Sequence, residues 1–321
     1  MTARIAIVGA GEVGAATAFA LLRGSLYSEL LLVDVKPEKR DGQVRDLSDA
    51  CGAEDSTTRV RAGTLREAGE CDVVVITAGS KRTRVDLLCP PGNPGETSIQ
   101  LVQRNTAILQ RIIDSMRPLR PDLVLLVVSH PVDVLTTLAQ QLSGLPKSQV
   151  IGSGTFVDTV RLRRMLADRF EIAPSSINAY VLGEHGDSQF VAWSHASIDG
   201  VPITEAETVA AQGSSFDRAA LADECKREGQ RIVETKGAIA FGIASVVASL
   251  CASILFDRRD VRPVSHFQPD PELGCCVSTP VVLGKGGVVK TLPLPLSADE
   301  KAKLAQSAKV VRDAAQHLLG P

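Results

Sequence analysis

Gly183-Glu184-His185-Gly186-Asp187-Ser188 sets one histidine among glycines and acidic residues. Histidine is the side chain whose ordinary pKa lets it trade a proton near neutral pH. Glycines allow left-handed turns and close backbone approach. Such a loop suits a general acid/base, but residue type alone does not single out His185 among five histidines. Asp158 and Arg161 add the missing partners. Three residues apart at the start of a helical segment, they share one face. The planar fork of an arginine matches a carboxylate with two parallel hydrogen bonds. An aspartate can hold an imidazole in one tautomer and stabilise its protonated form. A histidine–aspartate couple beside such an arginine suits hydride transfer at a 2-hydroxy or 2-oxo acid, with the histidine carrying the hydroxyl proton. The same spacing also fits a plain surface ion pair worth about 0.3–0.5 kcal/mol.

Gly9-Ala10-Gly11-Glu12-Val13-Gly14 follows a β-branched run, Ile5–Val8, and opens a helix-like segment, Ala15–Leu22. In that setting a G-x-G-x-x-G pattern is a phosphate loop. Gly9 makes the tight turn, Gly11 lets the backbone approach a pyrophosphate, and Gly14 lets helix and strand pack closely. The helix N-terminus offers N–H groups and the positive end of its dipole. Asp34 ends the next apolar run, 20 residues after Gly14. A carboxylate there accepts from ribose hydroxyls and repels a 2′-phosphate, which favours NAD over NADP. Thr77-Ala78-Gly79 closes a later run, either rimming the same crevice or making a simple strand-to-loop turn.

Apolar runs at Ile5–Val8, Leu30–Val33, Val73–Ile76, Leu123–Val128 and Val150-Ile151 alternate with helix-like segments. That pattern predicts an α/β fold, a doubly wound parallel Rossmann sheet. Long helices are expected at Thr97–Met116 and Asp158–Phe170. Strand-like Ile177–Leu182 and Val281–Leu283, with helical Ala219–Ile243 and Ala298–Leu319, predict a second α+β substrate/catalytic domain. The boundary is placed near residue 150, giving 1–150 for dinucleotide binding and 151–321 for substrate and catalysis. Lys81–Gly95, with three prolines and two glycines, is expected to be a long exposed loop.

The chain has 321 residues, 44% of them hydrophobic, and a formal charge of −2. That balance favours neither nucleic acid nor an anionic membrane as a partner. An aromatic content of 3% leaves little for stacking bases. Seven cysteines with no C-x-x-C spacing argue against a disulfide framework or a zinc site. Cys275-Cys276 reads as a redox pair or as two buried thiols. No leader peptide is read ahead of the first run, and Ile243–Phe256 is too short to span a bilayer. A cytoplasmic protein without bound metal is expected.

These motifs, with Leu101–Asn105, Pro131-Val132-Asp133 and Val150–Gly154, resemble in order and along the whole chain the NAD-dependent L-lactate/malate dehydrogenase family, and within it the L-lactate dehydrogenase branch. The resemblance implies that His185 is the proton donor and acceptor, Asp158 its partner and Arg161 the carboxylate clamp. It implies cofactor contacts at Glu12, Val13, Lys81 and Asn105 besides those above. It further implies a homo-oligomer, a tetramer or dimer, acting on a small 2-oxo or 2-hydroxy acid. Three departures cluster on the substrate. Ser98 stands where the family's mobile loop carries an arginine, and that loop is longer here, with the extra in Val85–Pro94. His130 replaces an asparagine before Pro-Val-Asp, and Ile239 a threonine. Losing a donor aimed at the reacting oxygen costs about 2.7–4 kcal/mol of transition-state stabilisation. Arg82, Arg84 or His130 is expected to take over that contact. The leading expectation is a lactate-dehydrogenase-like enzyme whose substrate need not be lactate. The alternatives are a catalytically weak NAD-binding paralogue with a regulatory role, or a reductase of an atypical carbonyl or imine.

Overall fold

The computed structural model describes residues 3–24, 28–53, 56–80, 98–205 and 217–319. Six short strands, β1 (Arg4–Val8), β2 (Glu29–Val33), β3 (Arg59–Ala62), β4 (Val73–Ile76), β5 (Val124–Val127) and β6 (Val150–Gly152), pair in parallel in the order β3-β2-β1-β4-β5-β6. The order reverses between β1 and β4, which opens a crevice at their carboxyl ends.

The apolar runs are continuous because both faces of this sheet are covered, and alternate residues enter different cores. Ala6, Val8, Leu31, Val33, Val74 and Ile76 enter one core, with Leu109 and Ile113 of the helix Ser98–Met116 and Val311 of the helix Ala298–Leu319. Ile5, Ile7, Leu30, Leu32, Val73 and Val75 enter the other, with Ala18 and Leu21 of the helix Glu12–Leu22 and Val247 and Leu250 of the helix Ala240–Leu255. Each such leucine or isoleucine contributes about 1.5–3 kcal/mol by burial. That fixes the strand ends, and hence the crevice, firmly in place.

The second half adds β7 (Ile177–Asn178), β8 (Val181–Leu182), β9 (Phe190–Val191), β10 (Ser197–Ile198) and β11 (Val201–Pro202) in two small antiparallel sheets. It also sends β12 (Asp260–Phe267), β13 (Cys276–Gly284) and β14 (Gly287–Thr291) back to the first sheet. There β12 runs antiparallel to β6, with Ser265 opposite Gly152 and His266 opposite Ile151. The two halves therefore share one nine-stranded sheet.

Two readings of the sequence need correction. The helical segment expected over Ala219–Ile243 is two helices, Arg218–Lys236 and Ala240–Leu255. Gly237, at φ +89°, takes the left-handed turn that ends the first. The strand β3 was not read because its sequence, Arg-Val-Arg-Ala, lies at an edge and is only partly buried. Helix Ser98–Met116 and helix Ala298–Leu319 fall where the periodicity puts them. Lys81–Gly95 lies outside the described residues. Cys275 and Cys276 are buried thiols, and burial pushes Cys275 up to about 12, which makes both poor nucleophiles. Among the described residues no helix is long and apolar enough to cross a membrane.

Candidate active site

The crevice is built around the turn after β1. Gly9 has φ +108°, and a Cβ there would lie 2.6 Å from the Ala78 amide nitrogen. A Cβ on Gly14 would lie 1.8 Å from the Gly9 carbonyl oxygen. These two glycines are needed to pack the turn on the end of β4, where the Thr77 hydroxyl donates to the Gly9 carbonyl at 2.8 Å. Gly11 is different. A Cβ there would meet nothing within 4 Å, and no side chain caps the helix that starts after it. The turn thus leaves open space in front of a helix N-terminus, which is what a pyrophosphate needs. Asp34 follows β2 and accepts from the Ala10 amide at 2.7 Å and the Lys36 amide at 2.8 Å, which sets its half-buried carboxylate beside the turn. Asn105 is buried. It donates to the His130 carbonyl at 2.8 Å and accepts from the Ser80 amide at 2.7 Å, tying the ends of β4 and β5 together below Gly79.

These distances separate two glycine substitutions. Gly14→Ala should destabilise the fold by about 1–3 kcal/mol, since backbone must move to admit the methyl. Gly11→Ala should leave the melting temperature nearly unchanged yet weaken NADH binding about tenfold or more, about 1.4 kcal/mol. Thermal scans with NADH fluorescence titration check both. Equal loss of stability in the two variants would rule out an open phosphate site at Gly11.

Proton chemistry gathers on the helix Phe156–Phe170. Asp158 and Arg161 lie on its inward face, with side chains only 1% and 8% exposed. Arg161 Nη1 donates to Asp158 Oδ1 at 2.9 Å, and Asp158 Oδ2 lies 2.5 Å from His185 Nδ1. The surface-pair reading of Asp158 and Arg161 is thereby overturned: one buried carboxylate joins the imidazole to the guanidinium. His185 keeps 29% of its side chain exposed, with Nε2 as the ring nitrogen left for a ligand. Burial works against a charged Asp158, but His185 and Arg161 outweigh it and hold its pKa below the ordinary carboxylate value. Burial likewise works against a charged His185. The Asp158 charge and hydrogen bond, with Asp133 behind, outweigh it and raise the pKa above 6.5. The shift favours the imidazolium, the form that can give a proton.

The loop carrying His185 is held by its backbone. Gly183, at φ +88°, exchanges two hydrogen bonds with Ser278 at 3.0 and 2.8 Å. The Glu184 amide donates to the Ser307 hydroxyl at 2.6 Å, and the His185 amide to Asp133 Oδ2 at 2.7 Å. Asp133, Ser307 and Gly229 were given no role on sequence grounds. Gly229 lies in the helix Arg218–Lys236, where a Cβ would sit 3.2 Å from Arg161 Nη1 and 3.4 Å from Ile239 Cδ1. A glycine inside a helix was the signal for that close pass. Ser307 offered none.

Of the residues placed on the substrate side, Arg161 and Ile239 line one cavity of about 570 Å³, whose walls include Ile232, Lys236 and Phe241. The His130 ring meets the His185 ring edge-on, with centroids 6.2 Å apart. Ser98 begins the helix that runs to Met116. Lys81, Arg82 and Arg84 lie outside the described residues.

Comparison with known proteins gives this geometry a context. The family description "lactate/malate dehydrogenase, NAD binding domain" matches residues 3–152. The description "lactate/malate dehydrogenase, alpha/beta C-terminal domain" matches residues 155–319. The chain is similar to L-lactate dehydrogenase A of Rhizopus oryzae, at 44% identity over 96% of this chain and 91% of that one. It is similar to L-lactate dehydrogenase 1 of Clostridium acetobutylicum at 35% identity, over 97% and 96%. Among solved structures, a lactate dehydrogenase from a Medee basin deep-sea metagenome library superposes with a TM-score of 0.91 at 30% identity, covering 99% of both chains. The minor L-lactate dehydrogenase from Enterococcus mundtii does so with a TM-score of 0.89 at 33% identity, covering 98% of both.

Proposed function

The chain belongs to the lactate/malate dehydrogenase family, and on that premise we propose that it is an NAD-dependent oxidoreductase that interconverts a 2-hydroxy acid and a 2-oxo acid by proton transfer at His185. The single observation that carries this reading is the buried Asp158 carboxylate bridging His185 and Arg161.

In the direction of reduction, Arg161 grips the substrate carboxylate with the N–H donors that Asp158 does not use. His185 Nε2 delivers a proton to the carbonyl oxygen while Asp158 steadies the ring through Nδ1. NADH, when bound, supplies the hydride. The residues that would hold it are Gly9, Gly11, Glu12, Val13 and Gly14 at the phosphates, Asp34 at the ribose, and Thr77, Ala78 and Gly79 behind the turn. Lys81 and Asn105 complete that set from the neighbouring segment. His130, Ser98, Arg82 and Arg84 belong on the substrate side, His130 because its ring lies beside His185. Ile239, which shares a cavity wall with Arg161, would offer the acyl end of the acid an aliphatic surface. Residues 1–150 serve the cofactor and 151–321 catalysis, in a cytoplasmic homo-oligomer, a tetramer or dimer.

The test is NADH oxidation by the purified protein against a panel of 2-oxo acids, from pyruvate to branched and aromatic acids. Turnover with none of them sinks the reading. The pH dependence carries its own sign. Reduction needs the imidazolium, and the pKa of His185 is raised above 6.5. The rate of reduction should therefore hold in mild acid and fall as pH rises through that raised value, above 6.5. Oxidation of the hydroxy acid should rise over the same interval. A reduction rate already falling below pH 6 would contradict the coupling of His185 to Asp158.

A further inference from the structure

Resting on that reading, we infer that Asp133 is a positioning residue for proton transfer at His185, a second carboxylate that fixes the catalytic loop from behind while Asp158 fixes the ring. Asp133 stands in the first turn of the helix Val132–Ser143, where the dipole favours an anion, and it is 1% exposed. Its Oδ2 accepts from the His185 amide at 2.7 Å across 52 residues of sequence. Its Oδ1 has no hydrogen-bond partner. A buried carboxylate whose one well-formed hydrogen bond goes to the His185 amide, with the Ser265 hydroxyl as its other helper, is an expensive way to hold a loop. An asparagine would accept the same hydrogen bond without a charge. What only aspartate provides is a negative charge beside an imidazole that must become positive.

The groups that set this charge balance are few. Asp158, Asp133 and Arg161 act on His185, and His130 meets its ring edge-on. His185, Glu184 and the Ser265 hydroxyl act on Asp133. Burial pushes the Asp133 carboxyl up to about 6, with Ser265 and His185 pulling it back. Asp133 is therefore anionic at the pH where the enzyme reduces its substrate, and it loses its charge in mild acid.

Asp133→Asn tests this. The variant should bind NADH normally and keep a KM for the 2-oxo acid close to that of the wild type. The alkaline fall of kcat for reduction should move about one pH unit lower, since an opposing charge has left His185. On that falling limb kcat should drop about tenfold. Asp133→Ala, which also removes the acceptor for the His185 amide, should lose more kcat. An alkaline limb at the wild-type position, or a loss seen only in KM or thermal stability, overturns the proposal. Oxamate binding to the enzyme–NADH complex reads the same shift without turnover. It should weaken as pH rises through the His185 pKa, and in Asp133→Asn that midpoint should lie about one pH unit lower. Equal midpoints overturn the proposal. If the wild-type protein reduces none of the 2-oxo acids, the function itself is wrong. If it does, and Asp133→Asn titrates like the wild type, only this inference fails.

Discussion

His185→Asn should lower kcat for 2-oxo acid reduction by about 10²–10⁴-fold, the usual contribution of a positioned general acid. The reason is local. Among the described residues, the imidazole is the proton carrier that meets Asp158, at 2.5 Å, and still keeps part of its ring exposed. The backbone clamps of this loop do not use the imidazole: Gly183 pairs with Ser278, and the amides of residues 184 and 185 donate to Ser307 and Asp133, so the loop should keep its path. NADH binding at the turn after β1 should be preserved, which separates loss of chemistry from loss of fold. Steady-state kinetics with a parallel NADH titration reads both. A variant that keeps more than a tenth of wild-type turnover would show that the proton comes from elsewhere, and His130 is the neighbour to examine next.

Arg161→Leu should cost about as much, but in a different parameter. Two charge-assisted hydrogen bonds to the substrate carboxylate, at about 1.5–3 kcal/mol each, would vanish. Their loss corresponds to a fall of about 10²–10⁴-fold in kcat/KM. Much of it should appear in KM, because the carboxylate is gripped in ground and transition states alike. Asp158 would also lose one of the two partners that keep it ionised, so the pKa of Asp158 should rise and that of His185 should shift with it. Initial-rate measurements across substrate concentration check this. An unchanged KM would place the carboxylate somewhere other than Arg161.

The sequence carried the frame of this enzyme well because its signals are local. The run Ile5–Val8, the glycines after it and Asp34 lie close together along the chain, and each type has one physical use there. His185, Asp158 and Arg161 were readable by type, but burial decided what they do. The spacing of Asp158 and Arg161 fits a surface pair equally well, and only packing within the second half sinks them to 1% and 8% exposure. Asp133 was read only as part of a motif, and Ser307 not at all, because they act on backbone amides 52 and 123 positions away. No periodicity encodes such a contact. Gly237 was misjudged for a related reason: whether a glycine sits inside a helix or ends it depends on what the following turn must reach.

The shared sheet limits how this protein can be recombined. A crossover at residue 150 looks natural on functional grounds, yet it falls inside β6 and cuts the ladder in which Leu126 of β5 faces Ile151 and Val127 faces Gly152. A Cβ on Gly152 would lie 2.3 Å from Thr136 Oγ1 and 3.0 Å from Ser265 Cβ. Glycine at 152 must therefore match what stands at 136 on the other side of such a junction. A chimera that borrows its cofactor half from a relative has to borrow β6 with it. The two halves divide the chemistry but are not interchangeable modules.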